Sequence, residues 1–240
     1  MKYKRVLLKI SGEAFLGKRE SGIDFDATFK IATEVKNAAA TGSQIIIVNG
    51  AGNLFRGRSA SQFGMDRATA DYMGMIATVM NALALQDAFS KIKVESRVMT
   101  AFEVRAVAEP YIRLRALRHL KRGRIVILAG GTGHPYFSTD SAAALRSLEL
   151  HADVLLKATN VDGVYDKDPA LDKNAKKFST LSVQQAIEKG YGVMDAPALA
   201  LCRDNKLPIQ VFNLFKKGSI LKVVKGSKIG TMVNPTQIRR

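Results

Sequence analysis

Tryptophan is absent from this 240-residue chain, cysteine occurs once, histidine three times and proline six times. A lone cysteine, Cys202, excludes an intrachain disulfide and fits a reducing compartment. No apolar run approaches the roughly 18–20 residues that a membrane span needs. The start, MKYKRVLLKISGEAF, is basic like a signal peptide, but Lys9 interrupts an apolar stretch already too short to form its core. The expected location is therefore the cytoplasm, with no membrane role. Acidic residues are also scarce, 21 against 37 Lys plus Arg, for a formal charge of +16. A basic surface keeps a protein soluble and attracts phosphates or nucleic acid. The basic residues are spread out, with a modest cluster in RLRALRHLKRGR, residues 113–124. No aromatic platform for single strands accompanies them. Small phosphorylated ligands are the favoured reading, and nucleic-acid binding as a main role is not expected.

Present in quantity are short apolar runs alternating with helical patterns. Hydrophobic residues make up 47% and charged residues 24%, an ordinary globular balance. The length allows one large domain or two small ones, with a full core. RVLLKI, QIIIV, RIVILA, DVLLKA and PIQVF read as buried strands, rich in Val, Ile and Leu and bounded by Gly, Pro or polar residues. Helices are predicted over 26–40, 68–90, 139–150 and 195–205, and a helical stretch over 101–121 kinked or divided by Pro110. Alternating strands and helices predict an α/β protein, a mostly parallel sheet with helices on both faces. Ligands of such sheets sit beyond the carboxyl ends of the strands.

Three loops follow predicted strands and carry glycines. KISGEAFLGKRESG imitates P-loop spacing, but Arg19 stands where a magnesium-binding hydroxyl belongs and no immediate helix follows. In a simpler reading Lys9 closes the strand and Gly12 lets backbone amides approach an anion. IVNGAGNLFRG offers Gly50, Gly52, Asn53 and Arg56, whose guanidinium can grip phosphate as a fork. It is not a dinucleotide fingerprint, because Phe55 occupies the third glycine position. AGGTGHPYFSTDSAA, residues 129–143, leads into a helix, and its hydroxyls lie where the helix N-terminus attracts an anion. Capping explains one of Ser138, Thr139 and Asp140. It leaves Thr132, Gly133, His134 and Pro135 unexplained. Together the loops suggest a site for several phosphate groups.

The stretches LLKISGEAF, GAGNLFRG, DRATADYMGMIATVMNALALQDA, GTGHPYFSTDSAAALRSLEL, DVLLKATNVDGVYDKDP, VMDAPALALCRDNKLPIQVFN and GTMV resemble, in order and spacing, those of bacterial-type UMP kinases of the amino acid kinase superfamily. The resemblance covers nearly the whole chain. It implies an αβα sandwich with a mostly parallel central sheet, a single domain over 1–240, an acceptor half roughly 1–150 and an ATP half roughly 151–240. It also implies transfer from ATP, with Mg²⁺, to UMP in pyrimidine nucleotide biosynthesis, a homohexamer, and allosteric response to GTP and UTP. By the family pattern Lys9, Ile10, Ser11, Gly12, Gly52 and Arg56 would contact ATP phosphates, and Thr159, Tyr165 and Asp168 the adenosine end. Ala51, Asp71, Thr132, Gly133, His134, Pro135, Tyr136, Phe137, Ser138 and Thr139 would bind UMP. Lys9, Arg56, Asp140 and Asp195 would form the catalytic group, with the two aspartates organising the phosphate side. The metal ligands are not legible. Three positions depart from the pattern: Ala51 for a glycine, Asn49 for an apolar residue and His134 for Asn. Alanine at 51 fits if its φ is negative or the ligand leaves room for a methyl.

A phosphate acceptor needs no general base, because its second pKa of ~6 makes it largely a dianion at neutral pH. Relief from repulsion is the requirement, which Lys, Arg and backbone amides supply. A sister kinase acting on a carboxylate or carbamate, and a basic nucleic-acid-binding regulator, are the alternatives.

Overall fold

The computed structural model describes residues 3–55 and 64–235. Among the described residues nine strands form one sheet: β1 (Arg5–Ile10), β2 (Gln44–Asn49), β3 (Ser96–Thr100), β4 (Glu109–Pro110), β5 (Ile125–Ala129), β6 (Val154–Thr159), β7 (Thr180–Ser182), β8 (Ile209–Asn213) and β9 (Thr231–Asn234). Their spatial order is β4-β3-β5-β2-β1-β6-β8-β9-β7, and every pairing is parallel except β8 with β9. The five strands expected from apolar runs are all present, at the centre of the sheet. The α/β expectation holds.

Alternate residues of each strand face opposite helical layers. Val6, Leu8 and Ile10 of β1 and Val154, Leu156 and Ala158 of β6 join one core. Its helices are α1 (Phe25–Ala39), α2 (Arg67–Lys91) and the short α7 (Ser219–Val224). Leu7 and Leu155 face the other core. There the helices are α3 (Arg113–Lys121), α4 (Thr139–Glu149), α5 (Val183–Lys189) and α6 (Ala196–Asp204). Most helix starts follow their caps. Asp24, Asp66, Ser138, Ser182 and Asp195 each accept a backbone N–H of the first turn, satisfying a donor that the helix itself leaves unpaired.

The helix expected over 101–121 is corrected. Helix α3 begins only at Arg113, and Pro110 lies in the edge strand β4, paired to Thr100. Proline has no N–H for a helix and pushes the preceding residue into extended backbone, and an edge strand tolerates it. The short strands β3, β4, β7 and β9 and the helices α5 and α7 were not marked by the sequence pattern.

Candidate active site

The loops after β1, β2 and β5 meet at the carboxyl end of the sheet. Parallel pairing of β1 with β2 and of β2 with β5 brings their ends side by side. Gly50 N donates to Ile10 O at 2.9 Å. Gly12 opens a single 3-10 turn, Gly12–Phe15, rather than a long helix, which agrees with rejecting a P-loop. A Cβ on Gly12 would collide with Gly52 N and stand 2.8 Å from Asn53 Oδ1, so two loop backbones touch where only glycine fits. In the third loop Gly130, Gly131 and Gly133 have φ of 78°, 58° and 87°, a region that L side chains disfavour.

Helix α2 fastens these loops. Asn81, fully buried, donates to Gly50 O and to Asn53 Oδ1, both at 2.8 Å, and accepts from Asn53 Nδ2 at 3.0 Å. Asn53 Nδ2 also reaches Gly22 O at 2.9 Å. One turn earlier, Thr78 Oγ1 accepts from Gly130 N at 2.8 Å. Asn49 Nδ2 donates to Thr78 O at 2.8 Å, which accounts for a polar residue at the end of β2. Ala51 is buried and is not among the residues of positive φ, which is how alanine is accommodated there.

Lys9, the last residue but one of β1, points toward α4. Its Nζ forms an ion pair with Asp140 Oδ1 at 2.8 Å. Lys157 Nζ lies 2.8 Å from the other oxygen, Oδ2, and also donates to Val193 O. The side chains of Lys9, Asp140 and Lys157 are 11%, 13% and 15% exposed. Burial pushes the Asp140 carboxyl up, but the Lys9 and Lys157 ammoniums together hold it below the ordinary carboxylate value. Burial lowers Lys157, against the pull of Asp140. Asp195 caps α6 and accepts from Ser141 Oγ at 3.0 and 3.1 Å, joining the starts of α4 and α6. Both lysines line a cavity of about 210 Å³ with Ser11, Ala158, Thr159 and Phe215 among its walls.

The remaining expected residues lie around this centre. Ser138 accepts from Asp140 N at 3.0 Å and Ser141 N at 3.1 Å, so it is the cap, and Thr139 opens the helix. Thr132 Oγ1 accepts from His134 N, and both residues border the loop, with His134 exposed. Pro135, Tyr136 and Phe137 continue the loop, and the rings of Tyr136 and Phe137 are exposed. Asp71 reaches this loop from α2, accepting from Tyr136 N at 2.7 Å. Thr159 donates to Val161 O at 2.9 Å. Half-buried Tyr165 pairs with Lys177, and exposed Asp168 accepts from Ala170 N; both stand outside the walls of the Lys9 cavity. Arg56 lies outside the described residues. Among the described residues no group of three or more His, Cys, Asp or Glu could hold a metal. No described helix is long and apolar enough to cross a membrane.

Lys157, Thr78 and Asn81 were not picked out in the sequence. Lys157 left a signal: VLLK occurs in both RVLLKI and DVLLKA, and the two copies pair residue for residue, Val6 with Val154 through Lys9 with Lys157. Asn81 left a weaker one, an amide inside an apolar helix.

A mostly parallel α/β sandwich with apposed glycine loops and a buried pair of lysines at its strand ends is suited to holding phosphate groups. Residues 4–213 match the amino acid kinase family. The UMP kinase from Bacillus anthracis superposes with a TM-score of 0.94 at 40% identity, covering 99% of this chain and 98% of that one. The UMP kinase from Ureaplasma parvum gives 0.91 at 35%, covering 98% and 100%. The uridylate kinase from Archaeoglobus fulgidus gives 0.72 at 30%, covering 95% and 99%. The chain belongs to the amino acid kinase family, and within it to the UMP kinases.

Proposed function

We propose that the protein transfers the terminal phosphoryl group of ATP to UMP, giving UDP and ADP. The observation that carries the reading is the Lys9–Asp140–Lys157 cluster, which faces a cavity beside touching glycine loops. The acceptor half is roughly 1–150 and the ATP half roughly 151–240. In the acceptor half Ala51, Asp71 and the run Thr132–Thr139 bind UMP. Lys9, Ile10, Ser11, Gly12, Gly52 and Arg56 hold ATP phosphates, while Thr159, Tyr165 and Asp168 take the adenosine end.

The UMP phosphate attacks as its dianion, so the chain needs no proton acceptor. Its residues instead hold donor and acceptor in line and offset the charge that gathers on the moving group. Lys9 and Arg56 serve the moving group, and Asp140 orients Lys9. Asp195, through Ser141, fixes the helix that carries Asp140. Mg²⁺ would neutralise the ATP phosphates. Magnesium commonly rides on substrate phosphates with few protein ligands. That arrangement fits a site where Asp140 is occupied by two lysines and Asp195 by Ser141 and Ala198 N.

Residues Tyr72, Met73, Ile76 and Met80 form an exposed apolar stripe on α2, 40–54% accessible. We assign this stripe to contacts between copies in a homohexamer, and regulation by GTP and UTP to that assembly. Light scattering should then give a particle about six times the 26.1 kDa chain; a single-chain mass would refute it. The substrate assignment is tested by ATP consumption with UMP, CMP, dUMP and N-acetylglutamate. UMP should be fastest, and equal or faster turnover of CMP or N-acetylglutamate would overturn it.

A further inference from the structure

We infer that Lys157 is a positioning residue that sets the charge of the transfer site: by taking one oxygen of Asp140, it leaves Lys9 with positive charge to spare. The inference rests on the proposed phosphoryl transfer.

A buried carboxylate facing one ammonium makes a pair of no net charge, poorly suited to attract a phosphate. Here the carboxylate faces two. Lys9 and Lys157 stand opposite each other on β1 and β6, and each approaches a different oxygen of Asp140 at 2.8 Å. These three side chains together carry one net positive charge, largely screened from water, with both lysines on the wall of one cavity, while the further carboxylate that Lys157 faces, Asp195, is engaged by Ser141 and Ala198 N. Buried ammoniums are costly unless compensated, and an apolar residue at 157 would fit the strand pattern of β6. The repeated VLLK tetrad instead brings a second cation to the centre of the sheet.

Lys157 also has a second anchor, on the backbone. An ammonium has three N–H bonds. Lys157 directs one to Asp140 and another to Val193 O, in the loop leading to the Asp195 cap of α6. It is thus tied both to α4 and to the α6 approach, while the contact shown for the Lys9 ammonium is its ion pair with Asp140. Lys9 can shift toward a phosphate, with Lys157 left to neutralise Asp140. The groups that face Lys157 electrostatically are Asp140, Lys9 and Asp195, and Cys202 in turn faces Asp140. The burial-driven lowering of Lys157 agrees with a cation crowded by a second one.

The test is Lys157→Met, which keeps an unbranched side chain one atom shorter and removes the charge. kcat should fall at least thirtyfold, with KM for UMP and ATP changing less than threefold. The acid limb of the kcat profile should move to higher pH, because Asp140 keeps only one cation. Lys157→Arg, which restores the charge, should return the acid limb even where kcat stays reduced. Carbon-13 NMR titration of the Asp140 carboxyl needs no turnover and should show the same upward shift in Lys157→Met. If the methionine variant does not fold, Lys157→Gln replaces it in each measurement. A kcat within threefold of wild type, or an Asp140 titration that does not move, overturns the inference. Failure of the wild-type protein to phosphorylate UMP would instead overturn the proposed reaction, leaving the NMR result to judge Lys157.

Discussion

Asp71 holds the backbone of Tyr136: its Oδ2 accepts Tyr136 N–H at 2.7 Å, at a residue whose φ is 70°. A tyrosine in this left-handed region costs on the order of 1–2 kcal/mol, which the surrounding contacts must offset. Arg67 contributes by gripping both Asp71 oxygens at 2.9 and 3.0 Å and lying over the Tyr136 ring. Asp71→Ala should raise KM for UMP at least tenfold and lower kcat much less. Steady-state kinetics with UMP varied check this, and an unchanged KM would remove Asp71 from the acceptor site.

Lys9→Ala should depress kcat far more than substrate affinity. Loss of a charge that stabilises the transition state costs roughly 3–4 kcal/mol, by analogy with oxyanion donors. A fall of less than tenfold would make Lys9 an ordinary structural lysine.

Gly12→Ala tests the touching loops. The new methyl would meet the backbone of Gly52, which cannot swing aside as a side-chain tip can. The loops must separate, at the ~1–3 kcal/mol typical of overpacking. KM for ATP should rise and the melting temperature fall. A variant with both unchanged would contradict the observed loop contact.

The Asn53–Asn81 pair should be worth more than either amide alone. Removing one strands buried donors or acceptors on the other, at ~1–3 kcal/mol. Asn81→Ala, Asn53→Ala and the double variant, compared by urea unfolding, should show the double loss to be smaller than the sum of the singles. Simple additivity would mean that the two amides act independently.

Acid should weaken the fold through Asp140. Its folded-state pKa lies below the ordinary 3.8, so its contribution is present above that value and lost as pH falls through the folded one. Lys157 acts in the alkaline range: lowered from 10.5, it makes stability rise as pH climbs from its folded value toward 10.5. Urea midpoints across pH should show both slopes, and Asp140→Asn should flatten the acid one. A flat wild-type profile below pH ~4 would count against this ion cluster. The Cys202 thiol, pushed up to about 12 by burial, should stay unreactive to a thiol reagent until the protein unfolds.

Much of this molecule was written in local pattern. Five apolar runs became the central strands because a parallel strand buried on both faces needs continuous Val, Ile and Leu. Glycines after β1, β2 and β5 marked the loops, since close backbone approach and positive φ demand that residue type. Ser138 and Asp195 marked helix starts by offering an oxygen to unpaired amides, whereas the first helix, read as starting at Asp26, is capped by Asp24. Pro110 was read as a helix kink and proved to be an edge-strand residue, because only the neighbouring β3 could turn a short extended segment into structure. Lys157 looked like one polar residue in a buried strand. Its role depends on register: β1 and β6 are far apart in the chain, and only their side-by-side pairing aims two lysines at one carboxylate. Asn81 likewise became a loop clamp only when α2 was laid across the strand ends. Local sequence thus set the elements, through backbone preferences and burial. Tertiary structure decided which distant charges and amides meet, because strand register and the placement of α2 across the strand ends, not local spacing, set those distances.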